Sequence, residues 1–172
     1  SDATRRGTWR KSTHRPNYVG DHYLVADNQK SPFSIEWKAT LPNPGKYELR
    51  VSFRGGKGLA TNVRYTVHHA EGEDQVVVDQ TVLPSIDQLW QPIGQFEFDT
   101  KAVVSLADTA TDKPILADAI RLVHVEDLEK DVPTDTSSLD EELANQNNVL
   151  FCGRGEVRKE ILQKNVNVRK RA

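Results

Sequence analysis

Apolar and polar side chains alternate with period two through most of the first two-thirds of the chain. Tyr47, Leu49, Val51 and Phe53 share one parity after a Pro42-Asn43-Pro44-Gly45 turn. The pattern repeats in 62–69 and, after Glu71-Gly72-Glu73-Asp74, in 75–79; it returns in 94–98, 102–106 and 119–123. Upstream, 33–39 sets Phe33, Ile35 and Trp37 on one face. Such alternation turns one face of a strand to a core and the other to water. Short strands separated by turn signals at roughly ten-residue spacing predict an all-β, antiparallel two-sheet sandwich. Its expected core is Phe33, Ile35, Trp37, Tyr47, Leu49, Val51, Phe53, Phe96, Phe98, Val104, Leu106, Ile120 and Leu122.

Where alternation fails, the chain is read differently. Trp9 is expected to begin a first edge strand, with residues 1–6 as a leader reaching in from a preceding domain. Tyr18–Leu24 reads as a loop entering a short strand, and Asp27–Pro32 as a polar loop. Thr81–Pro92, with Pro84, Leu89 and Trp90, reads as a crossover between sheets, which gives the sandwich a jelly-roll-like topology. After Val125 the composition changes. Residues 126–142 are acidic and 153–172 basic, ending Val168-Arg169-Lys170-Arg171-Ala172. Ser137 and Ser138 are candidate N-caps for a helix near 138–147, and a second helix is expected near 155–164. The resulting partition is a sandwich domain over 1–125 and a charged, partly helical or disordered appendage over 126–172.

Bulk properties exclude several classes. The 172 residues are ample for a real core. A formal net charge of −2 argues against nucleic acid as partner, since phosphate binding needs a concentrated basic surface. Cys152 is the single cysteine, so neither an intrachain disulfide nor a CxxC zinc site can form. There is no apolar run of about 18 residues to span a bilayer, and no signal-peptide pattern opens the chain. With no methionine present, Ser1 is read as lying inside a longer or processed protein.

The ordered set of segments resembles the golvesin C-terminal-like domain, a module also found in xanthan-lyase-like proteins. The resemblance runs through Tyr18-Val19-Gly20-Asp21-His22-Tyr23-Leu24, then Ile35-Glu36-Trp37-Lys38-Ala39-Thr40-Leu41-Pro42 and Pro44-Gly45-Lys46-Tyr47-Glu48-Leu49-Arg50-Val51. It continues in 60–69 and 77–81, and ends with 90–98 and Ala117-Asp118-Ala119-Ile120-Arg121-Leu122. It covers about residues 7–125; the tail departs from the pattern. The resemblance implies a jelly-roll-like, non-catalytic accessory domain of larger extracytoplasmic or secreted bacterial proteins, binding polysaccharide or cell-surface glycan. The alternative is a structural module docked on a neighbouring catalytic domain of its parent, binding no sugar.

Sugar recognition by a sandwich uses a ring face stacked on a pyranose, with a polar rim reading hydroxyls. Trp37, mid-strand on an apolar face, belongs to the core. Trp90, Tyr18, Tyr23 and Trp9, at element ends or in loops, are the candidate ligand platforms, although Trp90 also suits a plug at one end of the barrel. Asp118, opening the last strand, is a candidate for a structural calcium, with Asp108, Asp112 or Glu36 as further oxygen ligands. Its competing reading is a carboxylate that accepts backbone N–H bonds where loop meets strand. His68 and His69 point to opposite faces and make a poor metal pair. Arg54-Gly55-Gly56-Lys57-Gly58 lacks the ending and the strand–loop–helix setting of a phosphate loop, and reads as a flexible hairpin loop. No G-x-S-x-G elbow is present, no carboxylate pair can be assigned to glycoside hydrolysis, and Cys152 has no base in evident reach. The expected catalytic set is therefore none.

Overall fold

The computed structural model describes residues 3–14, 16–26, 32–107, 111, 113–128 and the backbone of 149–152. The strands are β1 (Thr4–Arg6), β2 (Trp9–Ser12), β3 (Tyr23–Ala26), β4 (Ser34–Thr40), β5 (Gly45–Ser52) and β6 (Val63–His69). They are followed by β7 (Gly72–Val78), β8 (Trp90–Phe98), β9 (Lys101–Ala107), β10 (Ile115–Ala117), β11 (Ile120–His124) and β12 (Val149–Cys152). Among the described residues the only helical element is a 3-10 turn at Val125–Asp127, so no helix there is long and apolar enough to cross a membrane.

One sheet has the order β1-β4-β9-β6-β7 and a second β12-β11-β5-β8. All their pairings are antiparallel. The inward side chains of both sheets meet in one core: Trp37, Tyr65, Val67, Val104 and Leu106 from the first, Tyr47, Leu49, Val51, Phe98, Ile120 and Leu122 from the second. Every residue of the core expected from alternation is buried. A third sheet, β10-β3-β2, adds Tyr23, Leu24, Ala26, Ile115, Leu116 and Ala117 to that same core. The chain is thus an all-β antiparallel sandwich.

Two segments lie inside the sheets where the sequence pattern placed them outside. Thr4–Arg6, assigned to the leader, pairs with β4 through Thr4↔Glu36 and Arg6↔Ser34. All three of its residues are exposed, so it has no apolar alternation to betray it. Val149–Cys152, assigned to the appendage, pairs with β11 through Val123↔Val149 and Ile120↔Cys152. Cys152 is therefore on a sheet strand. The helices expected near 138–147 and 155–164 lie outside the described residues.

The Thr81–Pro92 segment does cross between sheets, carrying the chain from β7 to β8, but β8 already begins at Trp90. The ladder between β5 and β8 slips at Leu49/Arg50, where Leu49 faces Gly94 and Arg50 faces Pro92. An edge strand with a bulge is where a proline, which cannot donate to a ladder, is tolerated. Gly94 has φ 151°, and a Cβ there would lie 2.7 Å from Cζ of Phe96, whose ring covers it.

Candidate functional site

The most highly built surface is one end of the sandwich, where the loops after β5, β7 and β9 come together. Because β5 belongs to the second sheet and β6 to the first, Phe53–Asn62 is a crossover between sheets, not the hairpin loop expected from its glycines. It is held by backbone bonds at both ends. The Gly56 N–H donates to the Gln80 carbonyl (3.0 Å), and the Gln80 N–H donates to the Ala60 carbonyl (3.0 Å). The Ala60 N–H reaches the Pro114 carbonyl at 3.2 Å, bringing in the loop after β9.

Gln80 is the hub. Its side chain is fully buried, Nε2–H donates to the Leu116 carbonyl (2.7 Å), and Oε1 accepts from the Leu116 N–H (2.9 Å). The Tyr65 hydroxyl, raised well above the usual phenol range by burial, also hydrogen-bonds the Gln80 side chain. A primary amide reproduces the donor and acceptor of a strand neighbour, so Gln80 extends the β10 ladder from a loop. Before it, Asp79 accepts from the Thr81 N–H (2.8 Å) and Thr81 hydroxyl (2.6 Å), which fixes the turn. Those two bonds hold the exposed Asp79 carboxyl below the usual range.

Gly55 lies against Val82 and Leu83: a Cβ would collide with the Val82 carbonyl and come within 2.8 Å of Leu83 Cα. Both contacts are backbone and cannot swing aside. Gly55→Ala is therefore expected to cost about 1–3 kcal/mol, the ordinary cost of overpacking a rigid site. Thermal unfolding checks this, against Gly58→Ala, where a Cβ meets nothing within 4 Å. Outward from this frame stand Arg54, half-buried, and Lys57, Val82 and Leu83, all exposed. Val82 and Leu83 are 61% and 51% exposed, and with Val77 they are the large apolar side chains that the described residues leave in solvent.

The aromatic residues singled out from sequence lie elsewhere. Trp90 and Tyr23 are each 4% exposed, so neither offers a ring face to a sugar, a correction to their reading as platforms. Ile86 forms a bridge with Trp90 that folds the loop back over β8, and the Tyr23 hydroxyl accepts from Ser12 Oγ at 3.0 Å. Trp9 is half-buried; its indole N–H donates to the Arg6 (3.1 Å) and Ser34 (3.2 Å) carbonyls, and its ring meets Phe33 edge-on at 5.2 Å. Tyr18 is half-buried with its ring 5.9 Å from that of Tyr23. Trp9 and Tyr18 do not join the loop end in any contact described above.

Asp118 sits between β10 and β11 and is half-buried. Its Oδ2 accepts from the Val19 N–H (2.7 Å) and the Ser52 hydroxyl (2.9 Å), the anchoring role weighed against calcium in the sequence. Burial raises its carboxyl to about 7 despite these two bonds. Of its expected calcium co-ligands, Glu36 pairs with Lys38 at 3.0 Å, while Asp108 and Asp112 lie outside the described residues. Among the described residues no three His, Cys, Asp or Glu side chains gather within reach of one ion. His68 and His69 separate as expected: the first is exposed beside Glu73 (3.2 Å), the second buried beside Asp74 (3.3 Å) and the Phe96 ring (5.5 Å).

Sequence reasoning missed Gln80 and the loop cluster around it. The glycines and flanking cations of 54–58 were visible, but were weighed only against a phosphate loop.

Comparison with known proteins agrees with this architecture. A curated relative, the xanthan lyase of Bacillus sp. (strain GL1), is 30% identical over 128 residues, 71% of this chain and 13% of that protein. A solved Paenibacillus xanthan lyase superposes with TM-score 0.66 at 24% identity, over 72% of this chain and 12% of that one. A family 35 carbohydrate binding module from Clostridium thermocellum gives TM-score 0.46 at 18% identity, over 72% of this chain and 92% of the module. The chain thus spans only about an eighth of the lyases it matches. Residues 1–124 match the Golvesin C-terminal domain family, and the chain belongs to that family.

Proposed function

We propose that this chain is a non-catalytic accessory module that binds polysaccharide or cell-surface glycan as part of a larger, extracytoplasmic or secreted protein. The observation that carries the reading is the family match over 1–124, together with 30% identity to a segment forming 13% of a xanthan lyase. A polysaccharide-active enzyme gains from a module that keeps it on its polymer, since tethering raises effective concentration without any new catalytic group. The loop end suits that task, being solvent-facing at Lys57, Val82 and Leu83 and tied down by backbone and side-chain hydrogen bonds around Gln80.

A second reading, a docking module that packs on a neighbouring domain without binding sugar, is favoured by the exposure of Val77, Val82 and Leu83. Exposed apolar groups mark partner surfaces as readily as ligand sites. Affinity electrophoresis of the full chain through gels cast with neutral and acidic polysaccharides separates the two. Retardation by at least one polymer is expected. Unchanged mobility in every gel would sink the glycan reading in favour of docking.

A further inference from the structure

We propose that the outer edge of β11 is a strand-docking site, and that the chain's own Val149–Cys152 occupies it as a removable strap. Displacing the strap opens the edge to an extended peptide in trans.

The ladder is the first reason. β11 pairs on one side with β5, from Ile120↔Val51 to His124↔Tyr47, and on the other with β12, from Ile120↔Cys152 to Val123↔Val149. In an antiparallel ladder successive N–H and C=O groups turn to alternate sides. Half of the β11 backbone groups over 120–123 therefore depend on β12 for their partners. Ile120, Leu122 and Val123 are fully buried, so the strand beneath the strap is apolar. An apolar strand with open backbone groups along its edge is a template for another strand.

The attachment of the strap is the second reason. Two neighbouring antiparallel strands are ordinarily joined by a turn of about 2–5 residues. Here residues 125–148 intervene between the end of β11 and the start of β12. A connection of that length does not dictate the pairing, so β12 reaches β11 as a tethered segment and not as the second arm of a hairpin. The family match ends at residue 124, before β12 begins.

The third reason is the position of the strap. It ladders to β11 of the second sheet and lies beside β4 of the first, so it bridges the two sheets along one side of the sandwich. It holds that place with four residues. So short a strand, laddered on one side, opens without taking the β5–β8 and β4–β9 ladders with it.

Residue-resolved amide hydrogen exchange of the full chain tests this on the wild type, Leu150→Pro and Phe151→Pro. Of two successive β12 residues, one turns its N–H to β11 and the other turns it away, and proline has no N–H to give. One variant is therefore expected to release the strap and the other to keep it. Release reads as exchange about tenfold faster at every second amide over 120–123, those facing β12. The amides facing β5 should keep the wild-type rate. A peptide copying residues 147–154, added under reducing conditions, should then shift the 120–123 amides saturably in the released variant. A strap closed in about nine molecules of ten makes the wild type bind that peptide about tenfold more weakly. If neither proline variant changes exchange, β12 does not cover this edge and the proposal falls. Loss of protection at both sets of β11 amides together would make β12 an integral strand and no strap. A released variant whose 120–123 amides ignore the peptide, or a peptide bound equally by wild type and released variant, would also overturn it.

Discussion

Gln80→Leu is expected to lower the unfolding free energy by about 4 kcal/mol. The substitution keeps the side chain's size but strips the Leu116 N–H and carbonyl and the Tyr65 hydroxyl of their partners. Each buried polar group left unpaired costs about 1–3 kcal/mol. For a chain of this length the loss corresponds to a fall in melting temperature of roughly 10 °C. The effect has a local signature as well, because the amide ties the β7–β8 loop to β10. Trypsin should cleave at Arg54 and Lys57 faster in the variant than in the wild type. A loss under about 1 kcal/mol, with unchanged cleavage, would show that Gln80 does not clamp this end of the sandwich.

Asp118 carries the second large effect. Its carboxyl titrates near 7 in the folded chain against an ordinary value of 3.8, because burial penalises the charged form more than the bonds from Val19 and Ser52 favour it. The folded state thus holds this proton more tightly than the unfolded state does. The contribution to stability is fully present below pH 3.8 and is lost as pH rises through about 7. A displacement of that size corresponds to about 4 kcal/mol. Asp118→Asn keeps an oxygen to accept from Val19 and Ser52 while removing the ionisation. Denaturant unfolding of wild type and variant at several pH values is expected to give parallel stabilities near pH 4. By pH 8 the variant should be the more stable by several kcal/mol. Equal pH slopes between 5 and 8 would mean that Asp118 is not a proton-holding anchor.

The sheets were legible in the sequence wherever one face of a strand is wet. β4, β6, β9 and the second half of β8 show that alternation in burial, and β5 shows it in its sequence although Arg50 and Ser52 on its other face are also buried. β10 was invisible for the opposite reason: Ile115, Leu116 and Ala117 are all buried, so no polar residue marks its period. β1 is exposed throughout and carries no apolar signal. Trp90 was taken for a loop residue because the turn before it, with Asp87 and Gln88 at φ 53° and 54°, has neither glycine nor the usual turn dipeptides.

The candidate site was less legible still. Gln80 stands in Asp79-Gln80-Thr81, a stretch that reads as a solvated turn, and its partner Leu116 lies 36 residues away. Polar residues buried by a tertiary bond leave no periodic trace, since the burial depends on which strands pair and not on local spacing. The segment around Arg54 misled in another way. Its glycine-rich setting suggested a mobile hairpin until the pairing of β6 with β7 and β9 made the segment a crossover. Asp118 was the exception. A lone carboxylate at a loop-to-strand junction has a short list of roles, and accepting backbone N–H bonds was among them.

Amide chemical-shift mapping of the 172-residue chain during titration with oligosaccharides cut from neutral and from acidic polysaccharides tests the central claim, glycan binding, most directly. Saturable shifts with at least one of these oligosaccharides, gathered at the loops after β5 and β7, are the result predicted. No shift at millimolar oligosaccharide, or shifts confined to residues remote from these loops, would contradict it.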